Sequence, residues 1–158
     1  MKHLFWMVEG VLAGRCGPCC QPWDPGELKE NGIGAVVSLS DDAGDTEALA
    51  NAGIAHLHRP ITRNVPPLEQ DVVLASQTIR EALTWVMEME DAQTPVLVHC
   101  ALGNDRTGLL MAAYLMAMGA APVHAVSQVR SLREQAFTAE GWDQLVYDVL
   151  YSMQNESN

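Results

Sequence analysis

The sequence predicts a single α/β domain, with a central, mostly parallel sheet of about 4–5 strands flanked by helices. Short apolar runs alternate along the chain with segments of helical spacing, which is the pattern of parallel strands joined by helices. The run at 94–100 has a continuous apolar centre, typical of a strand buried on both faces. With 158 residues and 48% hydrophobic content, the chain can fill one core, so we assign 1–153 to the domain and 154–158 to a polar tail.

Start and stop signals justify the individual elements. At 24–32, Asp24 suits an N-cap, Pro25 the first helical position and Gly32 the end of a short helix. The longest predicted helix, at 66–90, begins with prolines and then carries apolar residues at helical spacing. In chain order, the predicted elements are two short strands within 3–14, a helix at 24–32, a strand at 35–40, a helix at 45–53, a strand at 54–61, a helix at 66–90, a strand at 94–100, and helices at 107–119, 121–134 and 138–153.

Composition limits the function classes. A formal net charge of −11 argues against broad binding to nucleic acid or to anionic lipid. No run of about 18 uncharged apolar residues occurs, so we expect no membrane span. The four cysteines are too unevenly bunched for a secreted disulfide framework and no signal-peptide pattern is present, so we expect a cytoplasmic protein.

The segment "VHCALGNDRTG", residues 98–108, places a tight loop between the end of a buried strand and the start of a helix. Such a loop is a natural anion site, because its backbone N–H groups point inward and the helix dipole favours negative charge. We therefore expect the backbone of Ala101, Leu102, Gly103 and Asn104 to contact a bound phosphate. Arg106 adds a planar fork that can hold two phosphate oxygens at once.

Cys100 lies at the start of this loop, where the same positive field would favour a thiolate nucleophile. The hydroxyl of Thr107 could donate to the sulfur when the thiolate becomes a leaving group. His99 could orient the loop through hydrogen bonds to backbone groups. These residue types together predict nucleophilic attack on a phosphoester.

The stretch "HCALGNDRTG" resembles the H-C-x5-R-[ST]-G signature of cysteine-dependent protein tyrosine and dual-specificity phosphatases. Three further stretches resemble small bacterial members of the dual-specificity type, so the resemblance covers nearly the whole chain. They are "VLAGRCGP…L…GIGAVVSL" near the N-terminus, "HLHRPITRNVPP" before the longest helix, and "AVSQVRSLREQAFTAEGWDQLV" near the C-terminus.

The resemblance implies a two-step phosphatase mechanism through a phosphocysteine, with no cofactor and no metal. It implies a phosphorylated protein or a small phosphoester as the substrate, with phosphotyrosine or mixed phosphoesters in first place. It does not imply a nucleic-acid partner or a membrane. Taking the residue chemistry and the resemblance together, we assign Cys100, Arg106, Asp105 and Thr107 as candidate catalytic residues. The candidate substrate-binding residues are His99, Ala101, Leu102, Gly103, Asn104 and Arg63.

One position departs from the family pattern. The family usually carries its general acid in a segment like P-[IVL]-x-D before a proline, whereas this chain has Arg63 where the aspartate should be. An arginine cannot act as an acid near neutral pH. Three explanations stay open: Asp105 is the donor or only holds the loop; a carboxylate arrives from elsewhere, with candidates Asp71, Asp41 and Asp42; or the enzyme works without an acid on aryl phosphates.

Other interpretations also stay open. The missing acid allows a phosphate-binding pseudophosphatase. A phosphoinositide or RNA 5′-phosphatase is a further alternative, since some relatives that act on phosphoinositides carry an aspartate just before the arginine, as Asp105 does here. Arg63 could contact a second phosphate or an acidic substrate. Cys16, Cys19 and Cys20 favour loop positions over a redox or zinc site. Arg130 and Arg133, three apart on one helical face, could line the rim of the phosphate pocket, but we expect them to pair with neighbours such as Glu134.

Overall fold

A computed structural model describes residues 1–156 and confirms the predicted α/β class. The last two residues of the predicted tail lie outside the described part. The elements are β1 (Phe5–Val8), β2 (Leu12–Cys16), α1 (Pro25–Glu30), β3 (Ala35–Ser38), α2 (Thr46–Asn51), β4 (Ala55–His58), α3 (Glu69–Asp91), β5 (Val96–Cys100), α4 (Asp105–Ala117), α5 (Pro122–Leu132) and α6 (Trp142–Glu156).

The five strands form one sheet in the order β1-β2-β5-β3-β4. Strands β2, β5, β3 and β4 run parallel to one another, and β1 pairs antiparallel with β2 at the edge. The central strand is β5, whose residues are all buried, as its continuous apolar sequence predicts. Its last residue, Cys100, lies beside Cys16 of β2, and His99 lies beside Ser38 of β3.

The two faces of the sheet bury separate apolar clusters. On one face, Leu28 of α1 and Leu49 of α2 pack with Val36 and Leu97 of the sheet. On the other face, α3, α4, α5 and α6 bury a larger cluster against β2, β3 and β5. Helix α4, which follows the predicted phosphate loop, has its first ten residues buried in this layer. The loop is therefore anchored at both ends, by a central strand and by a buried helix.

The capping signals in the sequence are confirmed at two short helices. The Asp24 carboxylate accepts a hydrogen bond from the Gly26 N–H at 3.0 Å, which satisfies one of the unpaired donors at the start of α1. The Asp45 carboxylate accepts from the Ala48 N–H at 3.0 Å in the same way at α2.

The helix boundaries differ from the predicted ones by one to four residues; α3, for example, begins at Glu69 instead of 66. Helix α4 begins at Asp105, two residues before the predicted start, so Asp105 and Arg106 belong to the helix rather than the loop. Helix α6 begins at Trp142 instead of 138, since Gly141 takes a positive φ of 82° that a helix does not allow. It then runs to Glu156, three residues into the segment assigned to the polar tail.

Among residues 1–156, no helix combines the length and the apolar character that crossing a membrane requires.

Candidate active site

The loop 101–104 leaves the central strand at Cys100 and curls back over the end of β2. Gly103 has a φ of 77°, and a Cβ placed on it would lie 2.6 Å from the carbonyl oxygen of Arg15. Both the positive φ and the close backbone approach therefore require glycine. The curl leaves the Cys100 side chain at the start of a closed loop, 3% exposed.

A hydrogen bond connects the two ends of the loop. The Thr107 hydroxyl donates to the Cys100 Sγ at 3.2 Å, and Thr107 itself is fully buried in the first turn of α4. Because the N-terminal end of a helix carries a partial positive charge, the helix and the hydroxyl both stabilise negative charge on the sulfur. The Cys100 sulfur thus lies where a negative charge that develops on it is stabilised by both groups.

Arg106 brings a buried positive charge to the same place. Its side chain is 8% exposed and its Nη1 donates to the Ile61 carbonyl oxygen at 3.2 Å. The buried Nε has no hydrogen-bond partner among the residues that the structure describes. Since a buried donor without a partner is costly, this N–H points to a ligand oxygen that it would bind.

Arg133, just after α5, holds the loop from outside. Its Nε donates to the Gly103 carbonyl oxygen at 3.2 Å, and its Nη2 donates to the Leu102 carbonyl oxygen at 2.9 Å and to the Asn104 side chain at 3.0 Å. The expectation that Arg133 pairs with acidic neighbours was wrong, because its helix ends against the loop and carries the side chain to these carbonyls. Two arginines three positions apart on one helical face were the sequence signal for such a role.

His99 belongs to a buried polar chain behind the loop. Its Nε2 lies 2.6 Å from the Ser38 hydroxyl, which also lies 2.8 Å from Nε2 of His56, and its Nδ1 lies 3.4 Å from the Cys100 carbonyl oxygen. Burial lowers the pKa of His99 to about 4, so the ring is neutral near neutral pH. Because a carbonyl oxygen only accepts, Nδ1 carries the proton and Nε2 accepts from Ser38.

Asp105 is held by donors on both of its oxygens. Its Oδ1 accepts from the Phe137 N–H at 2.7 Å, and its Oδ2 accepts from Nη2 of Arg63 at 3.2 Å. Phe137 has a φ of 64°, unusual for a residue with a Cβ, so this bond stabilises a strained turn between α5 and α6. The structure thus brings Asp105 and Arg63 together, a contact that the sequence did not predict.

The other candidate acids divide into two groups. The Asp71 Oδ2 accepts from the Leu68 N–H and from the Asn64 amide, each at 2.7 Å, so this carboxylate caps the start of α3. Asp41 and Asp42 instead line a cleft of about 450 Å³ that also contains Cys100 and Arg106.

The N-terminal cysteines lie near this cleft. Cys19 and Cys20 are exposed and line it, whereas Cys16 is buried at the end of β2. A hydrogen bond with Cys16 raises the pKa of Cys20. Within residues 1–156, no three His, Cys, Asp or Glu side chains are grouped so as to hold a metal ion.

Comparison with known protein families identifies the family of this chain. The sequence profile of the family Tc-R-P, described as "Polymorphic toxin system, DSP-PTPase phosphatase", matches residues 22–120, which is more than half of the chain. The chain belongs to this phosphatase family. The match begins before α1 and includes β5, the loop and all of α4, so it contains Cys100 and Arg106. The resemblance seen in the sequence is thereby confirmed.

Solved structures confirm the fold of the phosphatase. The active form of Tk-PTP is 24% identical with a TM-score of 0.74, and the alignment covers 95% of this chain and 97% of that chain. PTPMT1 in complex with PI(5)P is 10% identical with a TM-score of 0.79, covering 99% and 100%. Human DUSP28 is 19% identical with a TM-score of 0.76, covering 98% and 97%. No curated protein matches the sequence.

Family and fold together establish the phosphatase as a cysteine-dependent enzyme of the dual-specificity class that acts on phosphoester substrates. The predicted enzyme class is therefore confirmed.

Proposed function

We propose that the phosphatase hydrolyses phosphotyrosine and similar aryl phosphates through a phosphocysteine on Cys100. The observation that carries this proposal is the buried Nε of Arg106, which has no partner in the described chain, in a residue that lines the same cleft as Cys100. A substrate phosphate bound by the loop amides and Arg106 would satisfy that donor and place phosphorus next to the sulfur.

In the first step, the Cys100 thiolate attacks phosphorus, an S–P bond forms, and the P–O bond to the leaving group breaks. In the second step, water attacks phosphorus, the S–P bond breaks, and inorganic phosphate leaves. The Thr107 hydroxyl, 3.2 Å from Sγ, supports this second step because it stabilises the thiolate that is released. His99 and Arg133 keep the loop in the shape that both steps need.

The preference for aryl phosphates follows from the carboxylates around the site. Arg63 occupies the usual acid position, and Asp105 uses both oxygens to accept N–H donors, which favours a holding role over proton donation. Asp41 and Asp42 are exposed in the lining of the cleft, and the Asp42 carboxylate accepts from the Gly44 N–H at 3.0 Å. Within residues 1–156, the hydrogen bond at the Cys100 sulfur comes from Thr107 and not from either aspartate. A phenolic oxygen, with a pKa of about 10, leaves with much less protonation than a serine alkoxide.

A panel of matched peptides tests this proposal. We expect kcat/KM to be much higher for a phosphotyrosine peptide than for the same peptide with phosphoserine, and we expect Cys100→Ser to abolish both activities. Rapid acid quenching should trap a phosphoenzyme whose label maps to Cys100. Equal turnover of the two peptides would overturn the aryl preference, and turnover by Cys100→Ser would overturn the mechanism.

Substitution of the candidate acids is the second arm of the test. If Asp41 or Asp42 donates the proton, its replacement by asparagine should lower activity on phosphoserine more than on phosphotyrosine. The Asp71→Asn variant tests the remaining candidate and should show no selective loss on phosphoserine, because that carboxylate caps the start of α3.

A further inference from the structure

We propose that Arg63 forms a second anion-binding subsite beside the phosphate site. The preferred substrate is then a phosphopeptide with a second anionic group, a carboxylate or a phosphate, next to the phosphorylated residue. This inference rests on the proposed function, in which Cys100 and Arg106 hold the first phosphate.

The subsite borders the nucleophile directly. A small cavity of about 80 Å³ is lined by the ion pair of Arg63 and Asp105 together with Cys100, Ala101, Leu102 and Asn104, so Arg63 lies at the edge of the phosphate loop itself. An anionic group beside Arg63 is therefore close enough to Cys100 to belong to the same substrate molecule.

The Arg63 guanidinium has further N–H donors that can bind such a group. A guanidinium carries five N–H donors, and within residues 1–156 the structure shows one hydrogen bond from Arg63, to Asp105. The Arg63 side chain is 39% exposed, whereas that of Asp105 is 6% exposed. Within this ion pair, the carboxylate is therefore buried and the guanidinium is partly exposed to solvent.

The same contact fixes the position of Arg63 in advance. The chain of contacts runs from the Phe137 N–H to Asp105 and from Asp105 to Arg63, at 2.7 and 3.2 Å. Because the side chain is already ordered, binding an anion costs less conformational entropy than it would at a free surface arginine. Asp105 also limits the gain in binding free energy, since its carboxylate already neutralises much of the positive charge of Arg63.

The distribution of charge around the opening supports a directional preference. The chain as a whole has a net charge of −11, and Asp41 and Asp42 line the larger cleft that contains Cys100, whose lining does not include Arg63. Arg133 directs its donors to the loop carbonyls instead. A second anion on the substrate is therefore favoured beside Arg63 and disfavoured beside the two aspartates.

The test compares matched phosphotyrosine peptides whose neighbouring residues are either aspartate or asparagine, on both sides of the phosphotyrosine. We expect wild-type kcat/KM to be about fivefold higher for the acidic peptide, mainly through a lower KM, since the site is partly exposed. The preference should shrink as ionic strength rises. A third peptide with a neighbouring phosphoserine tells whether a phosphate or a carboxylate is preferred.

Arg63→Gln should bring the ratio between acidic and neutral peptides close to one, whatever its effect on the absolute rates. Arg63→Lys should retain part of the preference, because it keeps the charge and loses the fork. The matched control is Arg59→Gln, since Arg59 is an exposed arginine that pairs with Glu81 and does not line either cavity beside Cys100. It should keep the full ratio.

Two results would overturn the subsite: equal kcat/KM for acidic and neutral peptides in the wild type, or a preference that persists in Arg63→Gln. Failure of the proposed function is a separate outcome, seen as no turnover of any phosphotyrosine peptide. In that case, calorimetric binding of the same peptides to Cys100→Ser, with and without Arg63→Gln, still shows whether the second anion is recognised.

Discussion

The Thr107 hydroxyl donates a hydrogen bond to the Cys100 sulfur over 3.2 Å, from the first turn of a helix to the last residue of the central strand. Both side chains are buried, so the bond is shielded from water and acts on whatever charge the sulfur carries. This hydrogen bond should matter most in the second chemical step, because there the sulfur leaves as an anion.

Thr107→Ala is expected to slow breakdown of the phosphocysteine more than its formation. Loss of one hydrogen bond to a charged group corresponds to a decrease of roughly 10- to 100-fold in that step. Stopped-flow measurement on an aryl phosphate should then show a burst of phenol release followed by a slow steady state. Thr107→Ser keeps the hydroxyl and serves as the control, and an equal loss in both variants would contradict a role for this bond.

Gly103→Ala is expected to destabilise the loop, because the added Cβ would lie 2.6 Å from the Arg15 carbonyl oxygen at a φ of 77°. The expected cost is about 1–3 kcal/mol in the free energy of unfolding, with a large loss of kcat/KM. Gly32 is the matched control, since it has a φ of 86° but open space around the Cβ position. Urea denaturation should give Gly32→Ala the smaller cost and unchanged kinetics; equal costs would show that φ alone matters at Gly103.

The sequence was sufficient for the strand, loop and helix that form the site, because local signals specify each of them. A continuous apolar run specifies the central strand, and glycine and arginine at fixed spacing specify the loop. The contacts of Asp105 could not be read in this way. Its partners Arg63 and Phe137 lie 42 and 32 positions away and meet it only after α3, α5 and α6 have packed against the sheet.

The same reason explains why Arg133 was misjudged. An exposed arginine at the end of a helix usually pairs with a neighbour one turn away, and a local rule predicts nothing else. Its three acceptors, on Leu102, Gly103 and Asn104, come close to it only through the docking of α5 beside α4. Tertiary packing therefore brings the Arg133 side chain against the loop, where its hydrogen bonds stabilise the loop conformation.

Asp105→Asn is expected to lower stability without changing the ratio of activities on aryl and alkyl phosphates. The substitution removes the ion pair with Arg63 and weakens the acceptor for Phe137, at a cost of about 1–3 kcal/mol. The readouts are the midpoint of urea unfolding and kcat on a phenyl and an alkyl phosphate. A selective loss on the alkyl phosphate would instead identify Asp105 as the proton donor.

The lowered pKa of His99 predicts how stability depends on pH. The pKa is about 4 in the folded protein and 6.5 as the ordinary value, so between these limits the unfolded chain binds more protons than the folded one. Stability is therefore fully present above about pH 6.5 and falls as the pH decreases toward 4, by about 3 kcal/mol in total from this residue.

Urea denaturation at a series of pH values measures this slope, and nitrogen NMR of the His99 ring reports its protonation directly. The spectra should show a neutral ring with the proton on Nδ1 at pH values above the lowered pKa. Half-buried His56 also has a lowered pKa, from burial and from the nearby His58, and contributes in the same direction. An imidazolium signal from His99 near pH 6 would contradict the prediction.

Arg133→Met is expected to lower kcat/KM by about 10- to 100-fold, because the loop loses the hydrogen bonds that orient its amides toward the phosphate. Methionine keeps much of the apolar length of the side chain and removes the three hydrogen bonds to the loop. Arg59→Met removes a cation elsewhere on the surface, where the arginine pairs with Glu81 at 2.9 Å, and should leave kcat/KM unchanged. The decisive measurement is binding of inorganic phosphate as a competitive inhibitor, which should weaken in Arg133→Met and not in the control. If phosphate binds equally well to both variants, the loop keeps its shape without Arg133, and the hydrogen bonds of Arg133 to the loop have no part in substrate binding.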